Sequence, residues 1–275
     1  MKEEILRAIE AVRNSSPLVH SITNYVVMNV TANALLAAHA SQLMAHAPEE
    51  LDDLTDIDSA LVLNIGTLDA TWLESMELAG KLMRAKGKPV VLDPVGAGAS
   101  RLRTETSLRL LDMVRPQIVR GNASEIMALA AEIRKAERLP SPKANPATKG
   151  VDSLNDSRDA VDSARFLASR FSCVVSISGE RDFITDGQTV LMVEGGSSLM
   201  PLVTGMGCSA SAVTGAYSAC ASPLVAAAAS MAVFASAGEK AATKAAGPGT
   251  FLPHFLDELY AVDADDAAER VKVVA

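Results

Sequence analysis

Four short apolar runs, each followed by turn residues and then by a segment of helical character, constrain the fold of this chain more than any other feature. The runs occupy 60–65, 89–92, 117–119 and 174–177. Strands that are apolar along their whole length are buried on both faces, and strands that alternate with helices belong to a parallel sheet. The spacing therefore predicts an α/β fold with a mostly parallel central sheet.

Further elements are expected on either side of these runs. Apolar residues at helical spacing between 5 and 12 predict an opening helix, and a second helix is expected over 24–38. The runs 183–185 and 190–193 flank an Asp-Gly pair, which favours the positive φ angles of a tight turn. They predict an antiparallel hairpin at one edge of the sheet.

The expected organisation is a single domain spanning 1–275, with two smaller domains as the alternative. A chain of 275 residues buries roughly three-quarters of the surface that it exposes when unfolded. Stability therefore requires neither a disulfide nor a structural metal. Three prolines and few apolar residues between 138 and 152 indicate a surface loop or linker, and strands resume beyond it.

Charge and cysteine content exclude some classes of function. The net charge is −8, whereas nucleic-acid binding depends on Lys and Arg that neutralise phosphates. We therefore expect small-molecule or protein partners and no nucleic acid. Cys173, Cys208 and Cys220 form no C-x-x-C pair, and the first residues are acidic and unlike a secretion signal. These features predict a reduced, cytoplasmic protein.

A stretch without any charged residue, 195–238, raises the alternative of a membrane span. Gly205, Gly207, Gly215 and Pro223 interrupt it, and Ala and Ser dominate it instead of the Leu, Ile and Phe that drive insertion. Two closely packed core helices are the preferred interpretation, and no membrane association is expected.

Functional residue types gather where the predicted strands end, which is where open parallel sheets bind ligands. These ends are 64–67, 93–98, 120–125 and 178–180. A fifth element, 203–208, places Gly205 and Gly207 before a helix expected to start near Ser209. Glycines allow a ligand to approach the backbone, and the free N–H groups of a helix start bind anions such as phosphate. The alternative is a tight turn into a packed helix.

Two carboxylates at neighbouring strand ends, Asp93 and Glu125, could hold Mg²⁺ directly or through water against a polyphosphate. The alternatives are a loop hydrogen bond beside Pro94 for Asp93 and a first-turn helix carboxylate for Glu125. Together with Asn122, Arg120 and the glycine turn, the set favours a magnesium–nucleotide site.

Cys208 is expected at a helix N-terminus, a position that lowers the pKa of a thiol. Cys173 and Cys220 lie in apolar surroundings and are expected to be inert. A cysteine hydrolase is an alternative, but it needs a positioned histidine, and none has a diagnostic context among the histidines at 20, 39, 46 and 254. Gly96-x-Gly98 is similar to a dinucleotide fingerprint but lacks its third glycine.

With these residues assembled, the sequence resembles the hydroxyethylthiazole kinases, a branch of the ribokinase-like superfamily. The resemblance covers about 17–260. It is carried by PLVHSITN (17–24), ANALLA (32–37), LVLNIGTL (61–68), VLDPVGAGAS (91–100), RGNASEI (120–126), VTGMGC (203–208) and GPGTFLPHFLD (247–257).

The resemblance implies a three-layer α/β/α sandwich without a lid domain, and ATP-dependent phosphorylation of 4-methyl-5-(2-hydroxyethyl)thiazole in thiamine biosynthesis and salvage. It also implies a homotrimer with active sites between subunits. The site residues that it implies are Met44, Asn24, Gly66 and Gly205 for the thiazole, Arg120, Ser178 and Asn122 for ATP, Gly205, Met206, Gly207 and Cys208 for the anion hole, Asp93 and Glu125 for Mg²⁺, and Cys208 in the position of the catalytic aspartate of sugar-kinase relatives.

The chain departs from the family pattern in a few places. His39-Ala40-Ser41-Gln42 replaces the usual Gly-Ala-Ser-Pro, Met206 replaces the second threonine of the anion-hole motif, and Ser178 replaces a threonine. Three alternatives to the thiazole kinase therefore stay open. They are a kinase acting on a hydroxymethylpyrimidine, an ATP-dependent repair dehydratase for hydrated nicotinamide cofactors, and a catalytically silent binding protein.

Overall fold

A central sheet organises the computed structural model, which describes residues 1–140 and 153–275. Its strands are β1 (Leu18–Ile22), β2 (Ser41–Leu43), β3 (Ala60–Asn64), β4 (Val90–Asp93), β5 (Ile118–Asn122), β6 (Val174–Ser178), β7 (Asp182–Thr185), β8 (Val190–Val193) and β9 (Val271–Val273). They lie in the order β2-β1-β3-β4-β5-β6-β7-β8-β9. All pairs from β2 to β6 are parallel, and the three remaining pairs are antiparallel. The parallel strands therefore all end at one edge, the carboxyl edge.

Helices cover both faces of the sheet. They are α1 (Lys2–Ser15), α2 (Met28–Ala37), α3 (Leu51–Ile57), α4 (Ala70–Ala85), α5 (Arg101–Val114), α6 (Ala123–Ala136), α7 (Ser153–Phe171), α8 (Met206–Ser218), α9 (Pro223–Lys244), α10 (Pro248–Tyr260) and α11 (Ala264–Glu269). One buried cluster joins the sheet to α1, α2 and α8 to α11, and the other joins it to α3 to α7. Successive residues of a strand belong to opposite clusters, with Val62 in the first and Leu61 and Leu63 in the second. The predicted three-layer α/β/α sandwich is confirmed.

Most predicted elements are present near their predicted bounds. The opening helix is α1, the four apolar runs are β3, β4, β5 and β6, and the Asp-Gly hairpin is formed by β7 and β8, with φ +99° at Gly187. The second helix begins at Met28, later than predicted, and α8 begins at Met206, before Ser209. β1, β2 and β9 have no counterpart in the sequence prediction. The expected loop at 138–152 lies almost entirely outside the described residues.

The uncharged stretch forms two core helices, as preferred from the sequence. α9 is long and apolar enough to cross a membrane, but 83% of its most apolar window is buried inside the fold. α8 is also buried along most of its length, and Gly215 lets it approach the sheet, because a Cβ there would lie 2.5 Å from Val62. Burial on this scale is typical of a core helix and unlike a membrane span.

Candidate active site

Residues from four neighbouring parallel strands, β3 to β6, meet at the carboxyl edge. Asn64 is opposite Asp93 in the pairing of β3 with β4, and Asn122 is opposite Ser178 in the pairing of β5 with β6. Gly66 and Glu125 lie just beyond the ends of β3 and β5, and Arg120 lies within β5, two residues before its end. The structure therefore assembles most of the predicted site residues along one edge of the sheet.

The start of α8 forms an anion-binding turn at this edge. Gly205 is the residue before the helix, has φ +89° and provides no side-chain cap. A Cβ at this position would lie 2.6 Å from Val30 and 3.1 Å from Val27, so both the backbone angle and the space require glycine. The first N–H groups of a helix have no partner within it, so those of Met206, Gly207 and Cys208 are available to bind an anion.

Arg120 adds a positive charge to this turn. Its side chain is only 7% exposed, and Nη1 donates to the carbonyl oxygen of Gly207 at 2.9 Å. A Cβ on Gly207 would come within 2.9 Å of the same nitrogen, so only glycine allows this approach. Nε is buried and has no partner among residues 1–140 and 153–275. A buried guanidinium with an unsatisfied donor is well suited to a phosphate oxygen.

A cavity of about 890 Å³ opens beside the turn. Its lining includes Arg120, Asn122 and Ser178, three residues predicted to bind ATP, together with the turn from Gly205 to Gly207. The apolar side chains of Met231 and Phe234 also line it. A cavity lined by both a cationic side chain and apolar side chains suits a nucleotide, which has charged phosphates and an apolar base. Met44, Asn24 and Gly66 do not line this cavity, and Asn24 instead contacts Cys208 in the first turn of α8.

Asp93 is fully enclosed at the end of β4. Its Oδ2 accepts hydrogen bonds from Asn64 Nδ2 at 2.8 Å and from Ser211 Oγ at 2.7 Å. Burial raises the pKa of Asp93 to about 6, against the opposing effect of the Arg120 charge. Its Oδ1 receives no hydrogen bond within the described part of the chain and can still bind a cation or a water.

Glu125 lies in the first turn of α6 and forms a capping box with Asn122, the residue before the helix. Its Oε2 accepts from the Asn122 N–H and its Oε1 from the Gly96 N–H, both at 2.8 Å, while the Asn122 side chain accepts from the Glu125 N–H. Glu125 is therefore a first-turn helix carboxylate, as the alternative interpretation expected. Its negative charge also helps to raise the pKa of Asp93. With both oxygens already accepting, Glu125 fits Mg²⁺ best through a water.

A complete protein cage for a metal is not found among the described residues, where no three His, Cys, Asp or Glu side chains cluster. A complete protein cage is not required for Mg²⁺ at a nucleotide, because this ion keeps several waters and shares its coordination with substrate phosphates. The donor set of Asp93 and Glu125 is consistent with a magnesium ion of that kind.

Cys208 corrects one expectation from the sequence. Burial and the negative charge of Asp93 raise the pKa of its thiol to about 11. The prediction of a lowered pKa was wrong, because the loss of hydration and the nearby carboxylate outweigh the helix dipole. Cys173 is buried, and its thiol pKa is raised to about 12, in agreement with an inert side chain.

Asn24 connects Cys208 to the other strand ends. Its Nδ2 donates to Asn64 Oδ1 at 2.8 Å and lies 3.6 Å from Cys208 Sγ. A Cβ on Gly66 would lie 2.5 Å from the same Nδ2, so glycine is needed for this packing. Met44 follows β2, which pairs with β1, the strand that leads to Asn24. Asn24, Gly66 and Cys208 therefore lie together outside the lining of the nucleotide cavity, and Met44 follows the strand next to β1.

Two polar residues that orient this centre were not predicted as site residues. Asn64 donates to Asp93 and accepts from Asn24, so it links two of the predicted residues. Ser211 reaches Asp93 from α8 across 118 positions of sequence. Asn64 stands at a strand end and could have been singled out by that position, whereas Ser211 carries no such signal.

Arg103 is a third unpredicted residue. Its guanidinium donates to three backbone carbonyls, those of Ile65 (3.0 Å), Val95 (2.8 Å) and Gly66 (2.7 Å). It therefore ties the turn after β3 to the turn after β4. Nothing in its sequence context, the first turn of α5, indicates this role.

The alternative sites find less support in the geometry. His20 pairs with Asp58, His39 contacts Tyr260, and His46 stacks on Trp72, so these histidines have partners other than a cysteine. Gly96 and Gly98 have φ +74° and +90° in a turn that precedes α5, where the Gly96 N–H is already bound by Glu125.

Comparisons with known proteins identify the family of this chain. The model of the hydroxyethylthiazole kinase family matches residues 9–265. Hydroxyethylthiazole kinase of Nitratidesulfovibrio vulgaris strain Miyazaki F is 55% identical over 98% of this chain and 97% of its own length. The corresponding protein of Brachyspira hyodysenteriae is 52% identical over 99% of this chain and 98% of its own length.

Solved structures lead to the same conclusion. Hydroxyethylthiazole kinase from Pyrococcus horikoshii OT3 has a TM-score of 0.88 at 39% identity, and the match covers 100% of both chains. Pyridoxal kinase from Staphylococcus aureus, in complex with AMP-PCP and pyridoxal, has a TM-score of 0.57 at 17% identity over 82% of this chain and 89% of its own, which supports the fold alone. The expected ribokinase-like fold is confirmed, and the chain belongs to the hydroxyethylthiazole kinase family.

Proposed function

We propose that this protein transfers the γ-phosphoryl group of ATP to the hydroxyl of 4-methyl-5-(2-hydroxyethyl)thiazole, a step of thiamine biosynthesis and salvage. The observation that carries the proposal is the position of the α8 start. It lies between the nucleotide cavity, which contains Arg120, and the group formed by Asn24, Gly66 and Cys208. A phosphate at this turn would have ATP on one side and an alcohol on the other.

In this arrangement Arg120, Asn122 and Ser178 bind the nucleotide, with Arg120 next to the phosphates. The N–H groups of Met206 to Cys208 receive the negative charge that the transferring group carries, which is the main form of catalysis in phosphoryl transfer. Asp93 and Glu125 would hold Mg²⁺, which supplies charge neutralisation to the phosphates when it is bound.

On the other side, Met44, Asn24 and Gly66 hold the thiazole so that its hydroxyl lies beside Cys208. The hydroxyl oxygen forms a bond to the γ-phosphorus and the bond from that phosphorus to the bridging oxygen of ADP breaks. The hydroxyl proton leaves late and passes to an oxygen of the transferred phosphoryl group or to water. A loose transition state needs only a weak base, so a neutral thiol is adequate as a hydrogen-bonding partner that orients the hydroxyl.

Oligomeric state and location belong to the same proposal. We expect a homotrimer in which a neighbouring subunit completes the thiazole side, and a cytoplasmic location, since the relatives act in small-molecule metabolism. In the isolated subunit the thiazole side carries exposed apolar side chains, including Tyr25 (56%) and Val26 (67%), which is consistent with a contact to another chain.

A coupled assay for ADP release, with a panel of thiazole, hydroxymethylpyrimidine and sugar alcohols, tests the reaction. We expect magnesium-dependent ADP release with the hydroxyethylthiazole and formation of its monophosphate, identified by mass spectrometry. A Glu125→Gln variant should need more Mg²⁺ for half-maximal rate. Preferred turnover of the pyrimidine, repair of a hydrated nicotinamide cofactor, or binding without any product would each replace the proposal with one of the alternatives.

A further inference from the structure

A short segment after β2, residues 44–47, is held by buried groups that the reaction itself does not use. His20, in β1, has both ring nitrogens engaged: Nδ1 lies 2.8 Å from Asp58 Oδ2, and Nε2 lies 2.8 Å from the carbonyl oxygen of Ala45. The side chains of His20 and Asp58 are both fully buried. A carbonyl only accepts, so Nε2 carries the proton of that bond, and the bond to Asp58 fixes the other end of the ring.

The next residue of the segment is held from a different element. Ser75, in α4, donates to the carbonyl oxygen of His46 at 2.5 Å. The His46 ring packs on Trp72 of the same helix, with 3.9 Å between ring centroids, and Trp72 Nε1 donates to the carbonyl of Thr23 at 2.9 Å. The carbonyls of Ala45 and His46, the two residues after Met44, are therefore both held by hydrogen bonds from side chains. The Trp72 contact also joins the segment to the chain that leads to Asn24.

We propose that His20 is a positioning residue for the alcohol substrate: the buried His20–Asp58 pair fixes segment 44–47 and thereby places Met44 against the thiazole. The inference rests on the proposed function, because it takes Met44 as part of the thiazole side of the site. His20 touches neither ATP nor the anion-binding turn in the proposed arrangement. Its effect is therefore confined to binding of the alcohol.

The physical basis is the cost of ordering a loop. With both carbonyls bound, the segment is ordered before the substrate arrives, so binding loses little conformational entropy. Without the Ala45 bond, the substrate must order the segment itself, and the buried Asp58 side chain loses its partner. The loss of one such hydrogen bond changes an equilibrium constant by about tenfold.

The test compares wild type with His20→Gln, Asp58→Asn and His39→Gln. His39 is the matched control, since its Nε2 also binds a backbone carbonyl, that of Tyr260 at 2.9 Å, but it precedes β2, at the end away from Met44. KM for the thiazole, KM for ATP and kcat are measured for each. Amide hydrogen exchange of the peptide covering 41–50 provides a readout that does not depend on activity.

For His20→Gln we expect KM for the thiazole to rise about tenfold, KM for ATP to stay within about twofold, and exchange in 44–47 to accelerate. Asp58→Asn keeps the volume of the side chain and should change the thiazole KM and the exchange in 44–47 by a smaller factor. It therefore tests the proposal even if His20→Gln does not fold. His39→Gln should change neither.

Unchanged exchange in 44–47, or faster exchange with an unchanged thiazole KM, would overturn the positioning role of His20. A parallel increase of both KM values would do the same, because it would indicate a general loss of structure. Failure of wild type to phosphorylate the thiazole would instead overturn the proposed function. The two ideas therefore fail in different ways.

Discussion

At the scale of single residues, Asp93 illustrates how the site works against the stability of the fold. Its pKa in the folded chain, about 6, lies above the ordinary value of 3.8. The folded state therefore binds a proton more tightly than the unfolded state does, and the ionised side chain destabilises the fold at neutral pH. This cost disappears as the pH falls from about 6 toward 3.8.

Asp93→Asn should therefore raise the melting temperature while it abolishes phosphoryl transfer. An asparagine oxygen can still accept from Asn64 and Ser211, and the buried charge is gone. Each pKa unit corresponds to about 1.4 kcal/mol, which gives a gain of about 3 kcal/mol, or ~5 °C, in calorimetry at pH 7.5. Asp93→Ala is the control, since it leaves both donors unpaired and should melt lower than Asp93→Asn. A lower melting temperature for Asp93→Asn than for wild type would contradict the assignment.

Cys208 should act as a neutral thiol. Because the pKa of its thiol is about 11, no inflection from this group is expected in the pH dependence of kcat between pH 7 and 9. Cys208→Ala should lower kcat by roughly two to three powers of ten with the Kd for ATP unchanged, and Cys208→Ser should retain more activity because a hydroxyl can take the same hydrogen bonds. Rates and isothermal titrations measure both. An alanine variant with wild-type turnover would remove Cys208 from the mechanism.

At the scale of elements, the start of α8 is the most constrained part of the site. Gly205→Ala should destabilise the chain by about 2–3 kcal/mol, since alanine is disfavoured at φ +89° and its Cβ would overlap Val30. ATP affinity should fall with it, because the N–H groups of the helix start would shift. Denaturant titration and ATP titration measure the two effects.

Gly249→Ala provides the matched control for this substitution. Gly249 lies in the first turn of α10, and a Cβ there meets nothing within 4 Å. Alanine should be neutral or stabilising by up to ~1 kcal/mol at such a position. Equal losses at Gly205 and Gly249 would show that the effect is not specific to the anion-binding turn.

The elements also explain what could be predicted from the sequence. β3 to β6 are buried along nearly their whole length and begin with apolar residues, so these strands could be predicted from the pattern. The carboxyl edge of the sheet and the glycine turn could be predicted with them. β1 was missed because it contains His20 and Ser21, and β2 because it has only three residues, two of them exposed. Ser211 could not be assigned to Asp93, since that contact depends on how α8 packs on β4. The raised thiol pKa of Cys208 likewise depends on burial, which a local motif does not report.

At the scale of the whole molecule, we predict a trimer. Light scattering should give three times the 28.7 kDa of the chain, and the species should persist on dilution to the protein concentration of the assay. The physical reason is that the thiazole side of the subunit exposes Tyr25 and Val26. Tyr25→Ser with Val26→Ser should favour smaller species, whereas serine at Leu102, an exposed apolar residue on α5, should not. A monomer of wild type with full activity would rule out a shared active site.

The packing of α8 and α9 has a consequence for how this protein tolerates sequence change. Ala226 to Ala229 are entirely buried, and Gly215 leaves no room for a methyl group beside Val62. In most cores truncation is the damaging change, because it leaves a cavity. Here enlargement should be the damaging change, at roughly 1–3 kcal/mol per added side chain. A scale that predicts higher stability for more hydrophobic residues would therefore rank the stabilities of variants in these two helices in the wrong order.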